Sequence, residues 1–270
     1  MAADPVKQLR VAPGSSVSLR SIDTDERFGW TKAEALEELE RVKAQLDLLQ
    51  QRLAAEGSRS VLLVLQAMDA AGKDGTVRVI ASGMNPAGVR VTSFKAPAGP
   101  EVARDYLARV HAAVPERGEI GIFNRSHYED VLVVRVKGLQ PRSVWSKRYR
   151  HINEFERMLT DEGTSVVKCF LHVSRDEQRK RLQERVDDPE KRWKFRLGDL
   201  EDRRLWPRYQ QAYEHALEQT STAWAPWHVV PADRNWVRNL CVAKILLRTL
   251  ERMAPQVPRP HDGIEGVIVK

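Results

Sequence analysis

Gly72, Lys73 and Asp74 follow an apolar run, Val61 to Leu65, and open a stretch with helical spacing that reaches Ile80. A strand, a glycine-lysine pair and a helix start in that order make an anion site, because the first N–H groups of a helix lack partners and its dipole favours negative charge. The phosphate-loop pattern G-x-x-x-x-G-K-[ST] adds a lysine for the outer phosphates and a hydroxyl for Mg²⁺. Here the string is Ala67-Met68-Asp69-Ala70-Ala71-Gly72-Lys73-Asp74. Ala67 replaces the first glycine, and Asp74 stands where Ser or Thr is expected. Around Lys73, the candidate phosphate- or nucleotide-binding positions are Ala70, Ala71, Gly72, Asp74, Gly75 and Thr76. The competing reading is a plain strand-to-helix turn.

A second polar cluster, Asn124-Arg125-Ser126-His127-Tyr128-Glu129-Asp130, begins where the apolar run Glu119 to Phe123 ends. In open parallel sheets ligands bind beyond the carboxyl ends of the strands, so this cluster and the phosphate loop are expected to share one crevice. Asn124 falls where an Asp usually closes such a strand, and a neutral amide is a weak ligand for a hard cation. Mg²⁺ is therefore assigned to Asp69 and Asp130, with Asp74 a helix cap or a third candidate. His127 is given no catalytic role, and no Ser-His-Asp order or metal-type His pair stands out.

Cations crowd the segment Arg175, Arg179, Arg181, Arg185, Lys191, Arg192, Lys194 and Arg196, interrupted by Asp187-Asp188-Pro189. Phosphoryl transfer needs such density, because fixed cations stabilise charge spread over the moving group. The alternative is a solvated helix face with ion pairs four residues apart. Asp-Pro breaks the helix, so residues 187–198 are expected to form a loop that closes over the site.

The elements that must position these groups alternate. A capping box, Thr31 and Glu34, starts a helix whose Leu36, Leu39, Val42, Leu46, Leu49 and Leu53 form one stripe ending near Gly57. That stripe fits packing on its own domain and leaves a homo-oligomer seam open. Strands are expected at 89–94, 119–123, 165–173 and 227–230 besides 61–65, and helices at 101–113, 143–159, 174–186 and 235–252. This alternation is that of a doubly wound α/β layer. Residues 1–29 read as an arm, 30–254 as one domain and 255–270 as a tail.

The whole chain, at 270 residues with 42% hydrophobic and 30% charged residues, is long enough for a substantial core and has the composition of a soluble globular protein. No apolar run spans a bilayer and the start lacks a signal-peptide pattern, so no membrane partner and a cytoplasmic location are expected. Cys169 and Cys241 are expected to be buried spectators. A net charge of +7 points to an anionic partner.

Taken together, QAMDAAGKDGT (66–76), FNRSHYEDVLVVRV (123–136), DDPEKRWKF (187–195) and APWHVVPAD (225–233) closely resemble the family-2 polyphosphate kinases, over about residues 20–253. The resemblance implies a P-loop kinase fold, a three-layer α/β/α arrangement with a mostly parallel sheet and a helical lid at about 185–208. It implies transfer of a phosphoryl group from inorganic polyphosphate to AMP or ADP with Mg²⁺, the FNRSHYED form resembling the class that accepts both. By the same resemblance Asp69 and Lys73 belong to the Walker A site, with Asp69 positioning the acceptor or its Mg²⁺. Arg125 binds phosphate with Asn124 beside it, and Arg185, Lys191, Arg192 and Lys194 form the lid. Two rivals remain at this point: an ATP-dependent kinase on the same fold, and a basic protein that holds polyanions without turnover. The tryptophans form no stacking stripe with the cations, so nucleic acid is not an expected partner.

Overall fold

The computed structural model describes residues 4–264 and 267–269. Strand β1 (Ser60–Ala67) is buried along its whole length. Its near-continuous Val and Leu content suits a strand covered on both faces, and each fully buried Leu from Leu62 to Leu65 contributes roughly 2 kcal/mol by removal from water. Among the described residues it is the centre of a five-stranded sheet with β2 (Val89–Ser93), β3 (Ile120–Asn124), β4 (Thr164–His172) and β5 (Trp227–Pro231), in the order β2-β3-β1-β4-β5. All four pairings are parallel. The chain leaves β1 toward one edge and returns to its other side at β4, so β1 lies at the reversal point where parallel sheets open a crevice. Leu65 pairs in register with Asn124, which sets the two polar clusters on the same edge.

Ten α-helices complete the described residues: α1 (Val6–Leu9), α2 (Lys32–Glu56), α3 (Lys73–Ala81), α4 (Ala108–His111), α5 (Val133–Val136), α6 (Arg142–Asp161), α7 (Arg175–Asp187), α8 (Leu197–Arg204), α9 (Trp206–Thr220) and α10 (Asn235–Met253). Helices α2, α3 and α10 pack together, α6 packs on α9 and β4, and the sheet lies between. This is the three-layer arrangement the sequence implied.

The capping box of α2 forms as expected, Thr31 Oγ1 accepting from Glu34 N and Glu34 Oε2 accepting from Thr31 N at 2.9 Å. Leu39, Val42, Leu46 and Leu53 are buried, and α2 packs along α10. Cys169 and Cys241 are buried free thiols. A continuous helix at 101–113 does not form. Arg104 is extended, and Asp105 Oδ1 accepts from Leu107 N at 2.9 Å, a local turn that competes with the helix and separates a 3-10 turn at Gly99–Ala103 from α4.

The N-terminal arm lies on the body. Val17 N and Leu19 N donate to Glu218 and Glu214 of α9 at 2.8 and 2.9 Å, Thr24 Oγ1 donates to Asp233 at 2.7 Å, and Arg234 pairs with Asp25. Arg10 bridges antiparallel to His228, covering part of the β5 edge. No described helix is long and apolar enough to cross a membrane.

Candidate active site

Between β1 and α3 the chain makes a tight loop in which Ala70 and Gly72 take positive φ, +62° and +104°. Lys73 folds back under this loop: its Nζ donates to the Ala67 carbonyl at 2.9 Å and approaches that of Met68 at 3.4 Å. Burial, reinforced by the Arg125 charge, lowers the Lys73 ammonium to about 8, although Asp69, Glu129 and Asp74 pull the other way. A lysine held this way is poised to gain from an incoming anion. Above it, Lys73, Asp74 and Gly75 supply the first-turn N–H groups of α3, which have no intrahelical partners.

Arg125 follows the last residue of β3 and is itself left-handed, with φ +62°. For a side chain of this size that backbone is costly and marks a constrained position. Its N–H donates to the Leu65 carbonyl at 3.1 Å, extending the β1–β3 register by one bond. The guanidinium then reaches Asp69 Oδ1 at 2.6 Å and Glu129 Oε2 at 3.4 Å. Burial disfavours the Asp69 carboxylate, but Arg125, Lys73 and Arg185 hold it below its ordinary range. The phosphate loop and the cluster after β3 therefore meet, with Lys73 and Arg125 set among the carboxylates Asp69, Glu129 and Asp74.

Arg185, on α7, lies 3.8 Å from Asp199 of α8 and contributes to the field at Asp69. Lys191, Arg192 and Lys194 are not brought to the loop in this conformation. Lys191 pairs with Asp188 at 2.7 Å, Arg192 Nε donates to the Val186 carbonyl, and Lys194 lies over the exposed Trp193 ring. Residues 188–196 form the expected connection, with one 3-10 turn at Arg192–Lys194, and Leu197 then starts α8, in which Asp202 is held by Lys137 and Tyr209 at 2.8 and 3.0 Å.

Three other expectations are corrected by geometry. Asp130 is not paired with Asp69: it is buried, accepts from Arg148 Nη1 at 2.9 Å, and is surrounded by Arg148, Arg109 and His127 rather than by the cations of Asp69. Burial raises its carboxyl despite Arg148. Thr76 does not face the cleft, since its buried hydroxyl is shared by the Gly72 carbonyl, Asn239 and Arg238. Arg181, one of the crowded cations read as serving phosphoryl transfer, is instead engaged by the backbone: it donates to the carbonyls of Ala70, Ala71, Ala232 and Asp233, tying the loop to the end of β5.

Asp74 is exposed at the start of α3 and accepts from Asn124 Nδ2 at 2.6 Å. This bond sets the Asp74 carboxylate beside the neutral end of β3. Among the described residues no group of three His, Cys, Asp or Glu gathers as a metal cage. A kinase-type Mg²⁺ does not need one, as it takes one or two carboxylates and completes its shell with water and substrate phosphates. Asp74 and Asp69 are oxygen donors of that kind at the cleft.

Behind the cluster, Lys168 of β4 and Glu156 of α6 form a buried ion pair at 2.5 Å. Tyr128 OH donates to Glu156 at 2.8 Å and accepts from Lys168, and His127 Nε2 lies 3.3 Å from Glu156. His127 is thus a structural residue.

A family model described as Polyphosphate kinase 2 (PPK2) matches residues 29–258. The chain belongs to the polyphosphate kinase 2 family. Among its relatives, the AMP/ADP-polyphosphate phosphotransferase of Meiothermus ruber is 59% identical over 267 residues, covering 98% of this chain and all of the relative. The ADP-polyphosphate phosphotransferase of Rhodopseudomonas palustris is 45% identical over 265 residues, 93% of this chain and 92% of that one. The crystal structure of polyphosphate kinase 2 from Arthrobacter aurescens TC1 superposes with a TM-score of 0.92 at 44% identity, covering 96% of this chain and 93% of the other.

For this polyphosphate kinase 2 family member, the residues that sequence reasoning missed lie beneath the loop. Gln178 Nε2 donates to the Asp69 carbonyl at 3.0 Å, and Arg238 of α10 donates to the Ala71 carbonyl at 3.1 Å. A weak signal for Arg238 existed: it stands in the stretch 237–247, whose other residues are apolar except for Asn239 and Lys244, and arginine is rarely fully buried.

Proposed function

We propose that the protein transfers the terminal phosphoryl group of inorganic polyphosphate to AMP and to ADP, forming ADP and ATP. The observation that carries this reading is the convergence of Lys73, Arg125 and Asp69 on one phosphate loop. It occurs in a chain 59% identical, over 98% of its length, to an AMP/ADP-polyphosphate phosphotransferase.

In this reading the acceptor's phosphate oxygen attacks the terminal phosphorus, the bond from that phosphorus to the bridging oxygen breaks, and polyphosphate leaves one unit shorter. The transferring group carries its charge on its outer oxygens, so catalysis is alignment plus charge neutralisation. The first-turn N–H groups of α3 and the Lys73 ammonium hold the phosphates at the loop. Arg125, fixed by its strained backbone and by Asp69, offers its guanidinium to the same oxygens. Arg185 adds charge from the lid side, and closure of 187–198 would bring Lys191, Arg192 and Lys194 closer and exclude water. Asp69 and Asp74 would hold Mg²⁺, which when bound neutralises charge on the phosphates. Asp69 also balances Arg125, keeping the guanidinium placed before substrate arrives.

Incubation with Mg²⁺, long-chain polyphosphate and AMP or ADP, followed by nucleotide analysis, tests the reading, with ATP plus AMP as a separate arm. ATP formed from AMP and polyphosphate is the expected result. Product in the ATP arm alone would replace polyphosphate with ATP as the donor.

A further inference from the structure

Arg238 approaches the phosphate loop from the core side. Its neighbours on α10, Val237 and Leu240 to Ala243, are buried apolar residues, and Arg238 is buried with them. The guanidinium is satisfied by neutral acceptors: Nε donates to Thr76 Oγ1 at 2.7 Å, Nη1 to Asn235 Oδ1 at 2.8 Å and to the Ala71 carbonyl at 3.1 Å, and Nη2 to Asn239 Oδ1 at 3.1 Å. Among the described residues no carboxylate balances it. Burial and the nearby Arg181 together lower it to about 9. Burying a cation without a counter-ion is unfavourable, and an apolar side chain would fill the same space without that cost.

The loop is shaped around this group. A Cβ on Gly72 would lie 2.0 Å from Arg238 Nη1, and one on Gly75 would lie 3.3 Å from Nη2. Both glycines of the Gly72-Lys73-Asp74-Gly75 string thus leave room for the guanidinium beneath, and Gly72 also holds the left-handed φ the turn requires. With the Ala71 carbonyl and the Thr76 hydroxyl drawn toward Arg238, the backbone on both sides of Lys73 is fixed from below. A bound polyanion would supply the counter-charge that the core does not.

We infer that Arg238 is a positioning residue for phosphoryl transfer, one that fixes the phosphate loop from its buried side and places a positive charge under the bound phosphates without touching them. The inference rests on the proposed role of the loop as a polyphosphate and nucleotide site, and it assigns to α10, more than 160 residues downstream of Thr76, a part in anion recognition.

The test uses full-length protein and inorganic tripolyphosphate as probe, with calorimetric affinity at several salt concentrations and a thermal midpoint for each variant. Arg238→Met should bind tripolyphosphate at least tenfold more weakly with a flatter salt dependence, since a fixed charge near the ligand is gone, and Arg238→Lys should recover most of the affinity. A residue that only stabilised the fold would lower the thermal midpoint and leave affinity and salt dependence unchanged in folded protein; that result overturns the inference. Should Arg238→Met not fold, Gly75→Ala carries the test, because its methyl presses on Nη2. Severalfold weaker binding supports the inference and unchanged affinity overturns it. Wild-type turnover of polyphosphate with AMP runs alongside: its absence would count against the proposed function, whereas wild-type activity with unaltered variant affinities would count against Arg238 alone.

Discussion

If Lys73 meets the phosphates as an ammonium, raising the pH should weaken anion binding well below the range in which lysines ordinarily titrate. With Lys73 lowered to about 8, roughly nine-tenths of the free protein carries the charge at pH 7 and roughly one-tenth at pH 9. A ligand that selects the charged form must then pay for protonation, so affinity for tripolyphosphate should fall about tenfold between these values, relative to Lys73→Arg, which stays charged throughout. Comparing the two proteins on the same ligand removes the ligand's own titration. Calorimetry in buffers of different ionisation enthalpy should also register uptake of close to one proton per ligand at pH 9. Stability carries the opposite sign. The fall from 10.5 to about 8 corresponds to roughly 3 kcal/mol held against the fold below pH 8 and relieved as pH climbs toward 10.5. Wild type should gain stability relative to Lys73→Met across that window. A wild-type to Lys73→Arg affinity ratio that stays flat from pH 7 to 9 would refute the reasoning, because the ligand would then not be meeting the Lys73 charge.

Asp69→Ala should cut turnover about 100-fold in folded protein, the usual loss for one electrostatic group at a transition state; steady-state kinetics with polyphosphate and ADP measure it. Gly72→Ala should abolish tripolyphosphate binding, since it combines a φ of +104° with a methyl 2.0 Å from Arg238 Nη1, and a calorimetric titration showing wild-type affinity would contradict the described loop. Lys168→Met should destabilise by about 3–5 kcal/mol by stranding Glu156, while the double variant with Glu156→Leu should lose clearly less; chemical denaturation of both proteins gives the comparison. Chelation with EDTA should stop turnover, and added Mg²⁺ should restore it.

The sheet was legible because β1, β3 and β4 are mainly apolar runs bounded by polar clusters, and β1 and β4 fall within a residue or two of the spans read from sequence. Lys73 was legible in the glycine-lysine pair between a strand and a helix, and Asp69 and Arg125 through the resemblance of the strings 66–76 and 123–136 to the family. Asp130 was not, because its role depends on Arg148, a helix α6 residue whose approach no spacing rule reveals. The buried side of the loop was barely legible for the same reason: Arg181 is one basic residue among many, and the surroundings of Arg238 in α10 mark it as a buried charge without saying that it holds the loop. The helix expected at 101–113 is divided into a 3-10 turn at Gly99–Ala103 and the short α4, with the extended Arg104 and the Asp105 turn between them.

The arm's docking gives the chain a direction in time. Leu19 waits for Glu214 and Thr24 for Asp233, partners 195 and 209 residues further on. At roughly 5–20 residues per second, synthesis leaves the first segment without its seat for on the order of 10–40 s. By then β1, β3 and β4 can already have paired, but α10, which begins at Asn235 beside the arm's anchor at Asp233 and Arg234, has only begun to emerge. The nascent chain would therefore carry its phosphate loop for most of its synthesis before the element that underpins the loop exists, and anion binding would be among the last properties the protein acquires.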